Sequence, residues 1–260
     1  MIRLTKERQK DVSFVVRVCR AYYEDTGITQ EDVAKAFDIS PGAVKKCIYV
    51  AGVNNWISFQ MLSAIKTKEH YQQCKHYDEF AKSTVSDKWF MNKLYPARRK
   101  NIRDTLTKEF ATKVVRNYIE HGADPNVHVR VGLSSIEMND VIIKASILRY
   151  ISEEDFKIAC EISLLRGGSR RHIEFIRSAR EDYPYLPGEI QERERMLESY
   201  DEVFSDADEV PSKEEIQDSI EKKKDRIKQI EFYIEHWHDK KNWQKDPEFD
   251  DKSNLRVFLF

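Results

Sequence analysis

Glycine and proline are scarce in this chain, and its cysteines form no pattern. The 260 residues include only 8 Gly and 7 Pro, which argues against a fold built from many short strands and tight turns. Cys19, Cys47, Cys74 and Cys160 show no CxxC spacing, so free thiols in a reducing cytoplasm are expected. No apolar run approaches the roughly 20 residues that span a bilayer. The first residues also lack the apolar stretch of a signal peptide, so contact with a membrane is not expected.

The sequence also lacks the short motifs of the common enzyme classes. There is no GxSxG, P-loop, HExxH or GxGxxG. His70, Cys74 and His76 have no second ligand pair for a metal. The carboxylates of residues 246–252 belong to an acidic tail rather than to a nuclease-like site. An enzyme is therefore the least favoured class, and no cofactor is expected.

Charge is divided unevenly although the net charge is only −1. Residues 1–130 contain 23 Lys and Arg against 15 Asp and Glu, whereas residues 131–260 contain 21 against 30. The 13 Phe, 12 Tyr and 4 Trp supply apolar surface for a packed core, which argues against disorder. The basic first half predicts an anionic partner, and the acidic second half predicts a solvated face or a protein contact.

Apolar residues recur at helical spacing along most of the chain. This pattern predicts an all-α fold, with Pro96 as a helix stop and Gly122 as a left-handed glycine after a helix end. The alternating Val127, Val129 and Val131 favour a short strand or wing. The predicted helices before residue 185 cover 6–25, 30–37, 41–51, 57–81, 87–95, 98–121, 135–149, 153–162 and 169–181.

The last 75 residues predict a helical hairpin that ends in an apolar tail. Ser212 and Glu215 have the spacing of a capping box, and the isoleucine seam that follows has Lys223 in one slot. This seam either packs on the preceding helix or pairs with a second copy, giving a homodimer or higher oligomer through residues 186–240. Residues 255–260 are expected to dock, on helix 98–121, beside residues 127–131 or on a partner protein.

Residues 29–50 resemble the helix-turn-helix of DNA-binding proteins. Val33 and Ala34 give the first helix an apolar residue followed by a small one, and Phe37 and Ile39 fill the apolar positions around the turn. Ser40 suits an N-cap and Pro41 a first turn. One departure is Asp38, because this turn position is usually glycine.

The resemblance implies which side chains of the second helix enter a major groove. Val44, Cys47 and Ile48 face inward, so the other positions face outward. Lys45, Lys46 and Tyr49 are the strongest candidates for contacts to DNA. The complete outward set is Ser40, Gly42, Ala43, Lys45, Lys46 and Tyr49.

Two further places have phosphate-binding chemistry. Residues 151–163 match residues 28–40 at six of thirteen positions, which suggests a second helix-turn-helix over 151–178. In that alignment Gly167 and Gly168 form the turn, and Arg170, Arg171 and His172 are exposed at a helix start. The third basic group comprises Arg98, Arg99 and Lys100, which follow Pro96 and would contact phosphates from an exposed first turn.

These patterns predict three segments: a helix-turn-helix domain over 1–66, a helical domain over 67–185, and an acidic hairpin with its tail over 186–260. The favoured function is sequence-specific binding of double-stranded DNA as a transcriptional regulator. The first alternative is a phage packaging factor similar to small terminases, which would pair the same motif with oligomerising helices. Lys and Tyr richness with many short helices also resembles phage or mobile-element proteins. The second is a protein-interaction module that binds no DNA.

Overall fold

The computed structural model describes residues 5–25, 27–73, 90–200 and 211–238. Within these ranges the chain is helical without strands, which confirms the all-α expectation. One π-helical turn, Phe90–Leu94, precedes α5. The α-helices are α1 Val12–Glu24, α2 Gln30–Ala36, α3 Pro41–Val53, α4 Phe59–Gln73, α5 Tyr95–Asp104, α6 Lys108–His121, α7 Val127–Arg130, α8 Ser135–Ile147, α9 Glu153–Leu165, α10 Arg170–Asp182, α11 Leu186–Glu198 and α12 Lys213–His236.

The chain forms two compact units that do not coincide with the three segments expected from the sequence. Unit 1 comprises Met1–Thr107 and Asp124–Val141, and unit 2 comprises Lys108–Ala123 and Ile142–Phe260. The first half of α8 therefore belongs to unit 1 and its second half to unit 2. Among the described residues, no helix is long and apolar enough to cross a membrane.

Unit 1 is built around α3, which packs against α1, α2, α4 and α5. Its core contains Val15, Val18, Ile39, Val44 and Ile48, each at most 1% exposed. The sequence predicted α1 from residue 6, but the helix begins at Val12. Asp11 ends the preceding turn and accepts a hydrogen bond from the Phe14 N–H at 3.0 Å, as an N-cap does.

In unit 2, α6 packs against α9, and the same unit includes the C-terminal hairpin. Arg180, 6% exposed, donates to the carbonyls of Ser146 at 2.7 Å and Ile151 at 3.0 Å and to the Glu153 carboxylate at 3.1 Å. This one side chain therefore links α10 to the end of α8 and the start of α9. Such buried guanidinium groups are stable only when their N–H donors find acceptors.

The hairpin expected at the C-terminus forms within the chain. Ile190 of α11 packs with Ile216 and Ile220 of α12 in one apolar cluster, and the capping box of Ser212 and Glu215 is present. Lys223 pairs with Glu189. The seam is thus occupied intramolecularly, which removes the sequence argument for pairing through a second copy. The connector 201–210 and the tail 239–260 lie outside the described residues.

Among the described residues, five helices are followed, two positions after their last residue, by a residue with a left-handed backbone. In each, the next residue donates to the carbonyl five positions earlier, for example Ile39 to Ala34 at 2.9 Å and Gly168 to Ser163 at 2.8 Å, which is the Schellman arrangement. Only two of these residues are glycine, so three helix ends have no glycine in the sequence to mark them. The five residues are Asp38, Asn55, Gly132, Arg149 and Gly167.

Gly122 is not among them, so the expected left-handed stop after α6 is wrong. A Cβ at Gly122 would lie 2.6 Å from Ile162 Cγ2 and 2.6 Å from the Tyr118 carbonyl oxygen. Glycine is needed there because α9 approaches the end of α6 closely, and the position is conformationally ordinary.

Three other local expectations are wrong. The helix expected over 98–121 is interrupted at residues 105–107, between the end of α5 at Asp104 and the start of α6 at Lys108. The Asn101 carbonyl accepts there from both the backbone N–H of Thr105, at 2.9 Å, and its hydroxyl, at 2.8 Å. Pro96 lies in the first turn of α5 and does not end a helix. The valine alternation forms the short helix α7, with Val127 buried and Val129 exposed, ended by Gly132.

Candidate nucleic-acid interface

The best-defined candidate site is the surface of α3, which follows α2 after a four-residue turn. Thr29 caps α2 by accepting from the Asp32 N–H at 3.2 Å, and Asp32 accepts from the Thr29 N–H at 3.0 Å. The Thr29 hydroxyl, which donates to the Asp32 carboxylate at 2.6 Å, and the Thr29 N–H together hold the pKa of Asp32 below its usual value. Ala34 is 1% exposed, consistent with a small residue where α2 packs on α3.

The turn between α2 and α3 is set by Asp38. Its φ is +51°, so the position expected to carry glycine adopts the left-handed conformation with an aspartate. Ser40 then caps α3, its hydroxyl accepting from the Ala43 N–H at 3.2 Å, and Pro41 occupies the first turn. Local sequence therefore fixes where the second helix begins and which face it turns inward.

The outward face of α3 carries most of the residues expected there. Gly42, Lys45 and Lys46 are exposed, Tyr49 is 37% exposed, and Ser40 is half-buried. Ala43 is an exception: it is only 5% exposed and belongs to the core. A Cβ at Gly42 would meet no atom within 4 Å, so the surface is open around the start of the helix.

The charged side chains of this face are all positive. No Asp or Glu occurs between residues 39 and 68, so Lys45 and Lys46 are the charged side chains of α3. Among the described residues, neither ammonium group has a carboxylate within 4 Å. Two exposed lysines on a helix without acidic residues favour an anionic ligand at this surface.

The far end of α3 is fixed by Arg98 of α5, which is fully buried. Its Nε donates to Glu137 Oε1 at 2.7 Å, and the remaining four N–H groups reach acceptors at 2.5–3.4 Å. All five guanidinium donors are therefore used. The other acceptors are the carbonyls of Gly52, Ile57 and Gly132 and the side-chain oxygen of Asn55.

This arrangement corrects the expectation for the basic group at 98–100. Arg98 is buried, and Arg99, 6% exposed, pairs through two 2.7 Å hydrogen bonds with the buried Asp140. Both guanidinium groups serve the interior of unit 1 rather than an exposed turn. Lys100 is exposed and pairs with Asp104 at 2.6 Å on the same helix face, so it is the one member still at the surface.

Within unit 1, Lys68 of α4 binds the C-terminal end of α1. Its ammonium group donates to the Tyr22 carbonyl at 2.7 Å and to the Asp25 carbonyl, and it lies 4.2 Å from the centre of the Tyr22 ring. Burial lowers the pKa of Lys68. Lysine at a helix C-terminus satisfies carbonyls that have no partner within the helix.

Cys19 of α1 and Cys47 of α3 are also buried in this core. Burial raises the pKa of Cys19 to about 12 and that of Cys47 to about 11. The thiol, rather than the reactive thiolate, is therefore the form present at neutral pH. The two cysteines act as small apolar residues between the helices.

The expected second copy at 151–178 resembles residues 28–50 in part. Ser152 caps α9 as Thr29 caps α2, accepting from the Asp155 N–H at 3.0 Å. However, α9 has 13 residues and α2 has 7. Ser163, aligned with the cap Ser40, is buried inside α9. The two first helices therefore differ in length, whereas the left-handed Gly167 and the start of α10 at Arg170 agree with the turn and the helix start expected there.

The basic residues of this second region are on unit 2. Arg170 and Arg171 are exposed in the first turn of α10, as expected. His172 is largely buried, and its Nδ1 lies 2.9 Å from the Tyr233 hydroxyl, so it was wrongly expected to be exposed. Burial lowers its pKa to about 4.

No protein-family model matches the chain, and neither comparison, with curated proteins or with solved structures, gives a match. The site is therefore interpreted from its own geometry and charge. Among the described residues, no cluster of three or more potential metal ligands is present.

Sequence reasoning missed Arg98 and Glu137, which position α3. They are 39 residues apart, and nothing in the local pattern of either helix pairs them. One feature of the sequence points to Arg98: it shares a helix face with the apolar Ile102, and a residue on that face is expected to be buried.

Proposed function

We propose that this chain binds double-stranded DNA in a sequence-dependent manner through the outward face of α3. The observation that carries the proposal is the exposed Lys45, Lys46 and Tyr49 on a helix whose opposite face is buried and which follows α2 after a sharp turn. A helix presented in this way fits the major groove, where its N-terminal half contacts base edges. A role as a transcriptional regulator is the simplest use of such binding.

The charge and the rigidity of the helix support the proposal. A lysine that contacts a phosphate releases a counterion, so each contact gives a measurable salt dependence. Lys45 and Lys46 have no carboxylate partner in the part of the chain that the structure describes, and both ends of the helix are fixed, by Ser40 at the start and Arg98 at the end. Holding the contacting side chains on a preorganised helix reduces the cost of binding.

The experiment is an unbiased selection of duplexes bound by the full chain, followed by affinity measurements on the preferred and a scrambled duplex. Lys45→Ala or Tyr49→Ala is expected to weaken binding to the preferred duplex by about 1–3 kcal/mol if the residue contacts bases. A lysine that contacts only phosphate weakens both duplexes alike and reduces the salt slope by about one. Lys113→Ala, an exposed lysine on α6, is the matched control for loss of one charge.

The same measurements separate the alternatives. Absence of binding to any duplex at low salt would refute the proposal and favour a protein-interaction module. Solution mass distinguishes a regulator from a packaging factor, because a ring of many copies would favour the latter. The isoleucine seam offers no support for such a ring, since it packs inside the α11–α12 hairpin.

A further inference from the structure

The turn that joins α9 to α10 carries an exposed apolar tip. Leu165 is 88% exposed and Leu164 41% exposed, although both belong to a regular helix. A leucine that remains in water forgoes about 1.5–3 kcal/mol of burial free energy. Contact of this tip with another apolar surface is therefore favourable, and the charged residues around it indicate what kind of segment would bind there.

Positive charge surrounds the tip. Arg170 and Arg171 begin α10 with exposed side chains, whereas the guanidinium of Arg166 lies 5.9 Å from the centre of the Tyr118 ring. No acidic residue occurs between Glu161 and Glu174. The first turn of α10 contains no carboxylate, and the side chain of its N-cap residue makes no capping hydrogen bond. An acidic peptide with apolar side chains complements this surface, because the helix dipole and both arginines favour carboxylates there.

The end of α12 brings the C-terminal segment of the chain to this place. The helix runs opposite to α10: Arg226 pairs with Asp182 at 3.0 Å near the end of α10, and Tyr233 lies 2.9 Å from His172 in its first turn. Trp237 is 2% exposed, so α12 stays packed to its end. The described part of α12 and its last turn therefore end, at residue 238, close to the first turn of α10.

The sequence of that segment has the required chemistry. Residues 246–251 contain four carboxylates and Phe249 without a basic residue, and residues 255–260 contain five large apolar side chains. The seven residues from 239 to 245 can span about 23 Å when extended. We infer that residues 246–260 dock on the turn between α9 and α10, with carboxylates of 246–251 against Arg170 and Arg171 and the apolar side chains of 255–260 over Leu164 and Leu165.

One competing face within unit 2 is the outer surface of α6. An open groove of about 520 Å³ lies along it. This groove carries both signs of charge, and its Glu109 and Glu120 would repel the acidic residues 246–251. The turn between α9 and α10 has no acidic residue. The groove is lined by Glu109, Thr112, Lys113, Arg116, Asn117 and Glu120.

Hydrogen exchange of the full chain tests the inference, with the amides of residues 246–260 as the readout. The test variant is Arg170→Glu with Arg171→Glu, and the matched control is Lys113→Glu with Arg116→Glu on α6. Carboxylates in the first turn of α10 are compatible with its helix dipole, so the test variant should fold, which its circular dichroism and melting curve verify. Docking predicts exchange about tenfold faster in the test variant than in the wild type, and no change in the control.

Four outcomes would overturn the inference. The tail amides could exchange at the unprotected rate in the wild type. Protection could persist in the test variant, or be lost in the α6 control, which would place the tail elsewhere. A photo-crosslinker at Leu165 could link two copies rather than one chain, with the same probe at Phe232 as control. Added duplex DNA could protect residues 164–171 while the tail stays unprotected, which would assign the turn to DNA.

Discussion

Arg98 and Glu137 form a fully buried ion pair, with Nε and Oε1 2.7 Å apart and both side chains 0% exposed. Glu137 also accepts from the Ser134 N–H at 2.8 Å, so both charges are compensated by hydrogen bonds as well as by each other. Through the carbonyls of Gly52 and Ile57, this pair determines where α3 ends relative to α5 and α8 within unit 1.

Replacement of Arg98 by Met is therefore expected to destabilise the protein by about 3–5 kcal/mol, since it leaves the Glu137 carboxylate buried without a counter-charge. Denaturant unfolding followed by circular dichroism measures the loss. The double variant Arg98→Met with Glu137→Gln should recover part of it, because no charge is then buried. Lys100→Ala is the control: its ion pair is 65% and 54% exposed, and a loss above about 1 kcal/mol there would contradict this account.

Asp38 provides a second test, at the turn before α3. Its φ of +51° is costly for a residue with a Cβ, so Asp38→Gly is expected to raise stability by up to about 1 kcal/mol. Asp38→Asn changes the charge but keeps a side chain that tolerates the left-handed region, and it separates the two effects. A melting temperature lower for the glycine variant than for the wild type would show that the carboxylate contributes more than the backbone strain costs.

Gly122 tests the close approach of α9 to α6. Gly122→Ala should destabilise by about 1–3 kcal/mol, because the added methyl meets Ile162 Cγ2 and a backbone oxygen that cannot both withdraw. The matched control is Gly188→Ala in α11, where a Cβ meets nothing within 4 Å. That change should be neutral or stabilising. Equal effects of the two substitutions on thermal unfolding would refute the packing explanation.

His172 predicts a pH dependence of stability. Burial lowers its pKa to about 4 from the ordinary 6.5, so the unfolded chain binds a proton more readily between these values. Stability should therefore be complete above about pH 6.5 and fall as the pH drops towards 4, by at most about 2 kcal/mol between pH 7 and pH 5. His172→Gln should remove this part of the pH dependence. His236→Gln, which changes a more exposed histidine, should leave it intact.

The sequence by itself determined the helices and the start of α3. Apolar spacing places the helices, and Thr29, Ser40 and Ser212 fix helix starts because a capping hydrogen bond involves only the next three residues. The capping box of α12 is recognisable because its two hydrogen bonds are local, and the isoleucine seam is recognisable because it repeats at helical spacing. Inward and outward positions of α3 were also correctly assigned, except at Ala43.

Only the tertiary structure decided what depends on residues distant in sequence. Arg98 and Arg99 looked like an exposed basic turn, but carboxylates about 40 positions away, on α8, bury and neutralise them. Gly122 looked like a helix stop, and only the approach of Ile162 shows why glycine is there. The isoleucine seam fits a partner in the same chain as well as one in a second copy. Local patterns report local hydrogen bonds and periodicity, whereas burial of a charge or close contact between helices depends on which elements meet.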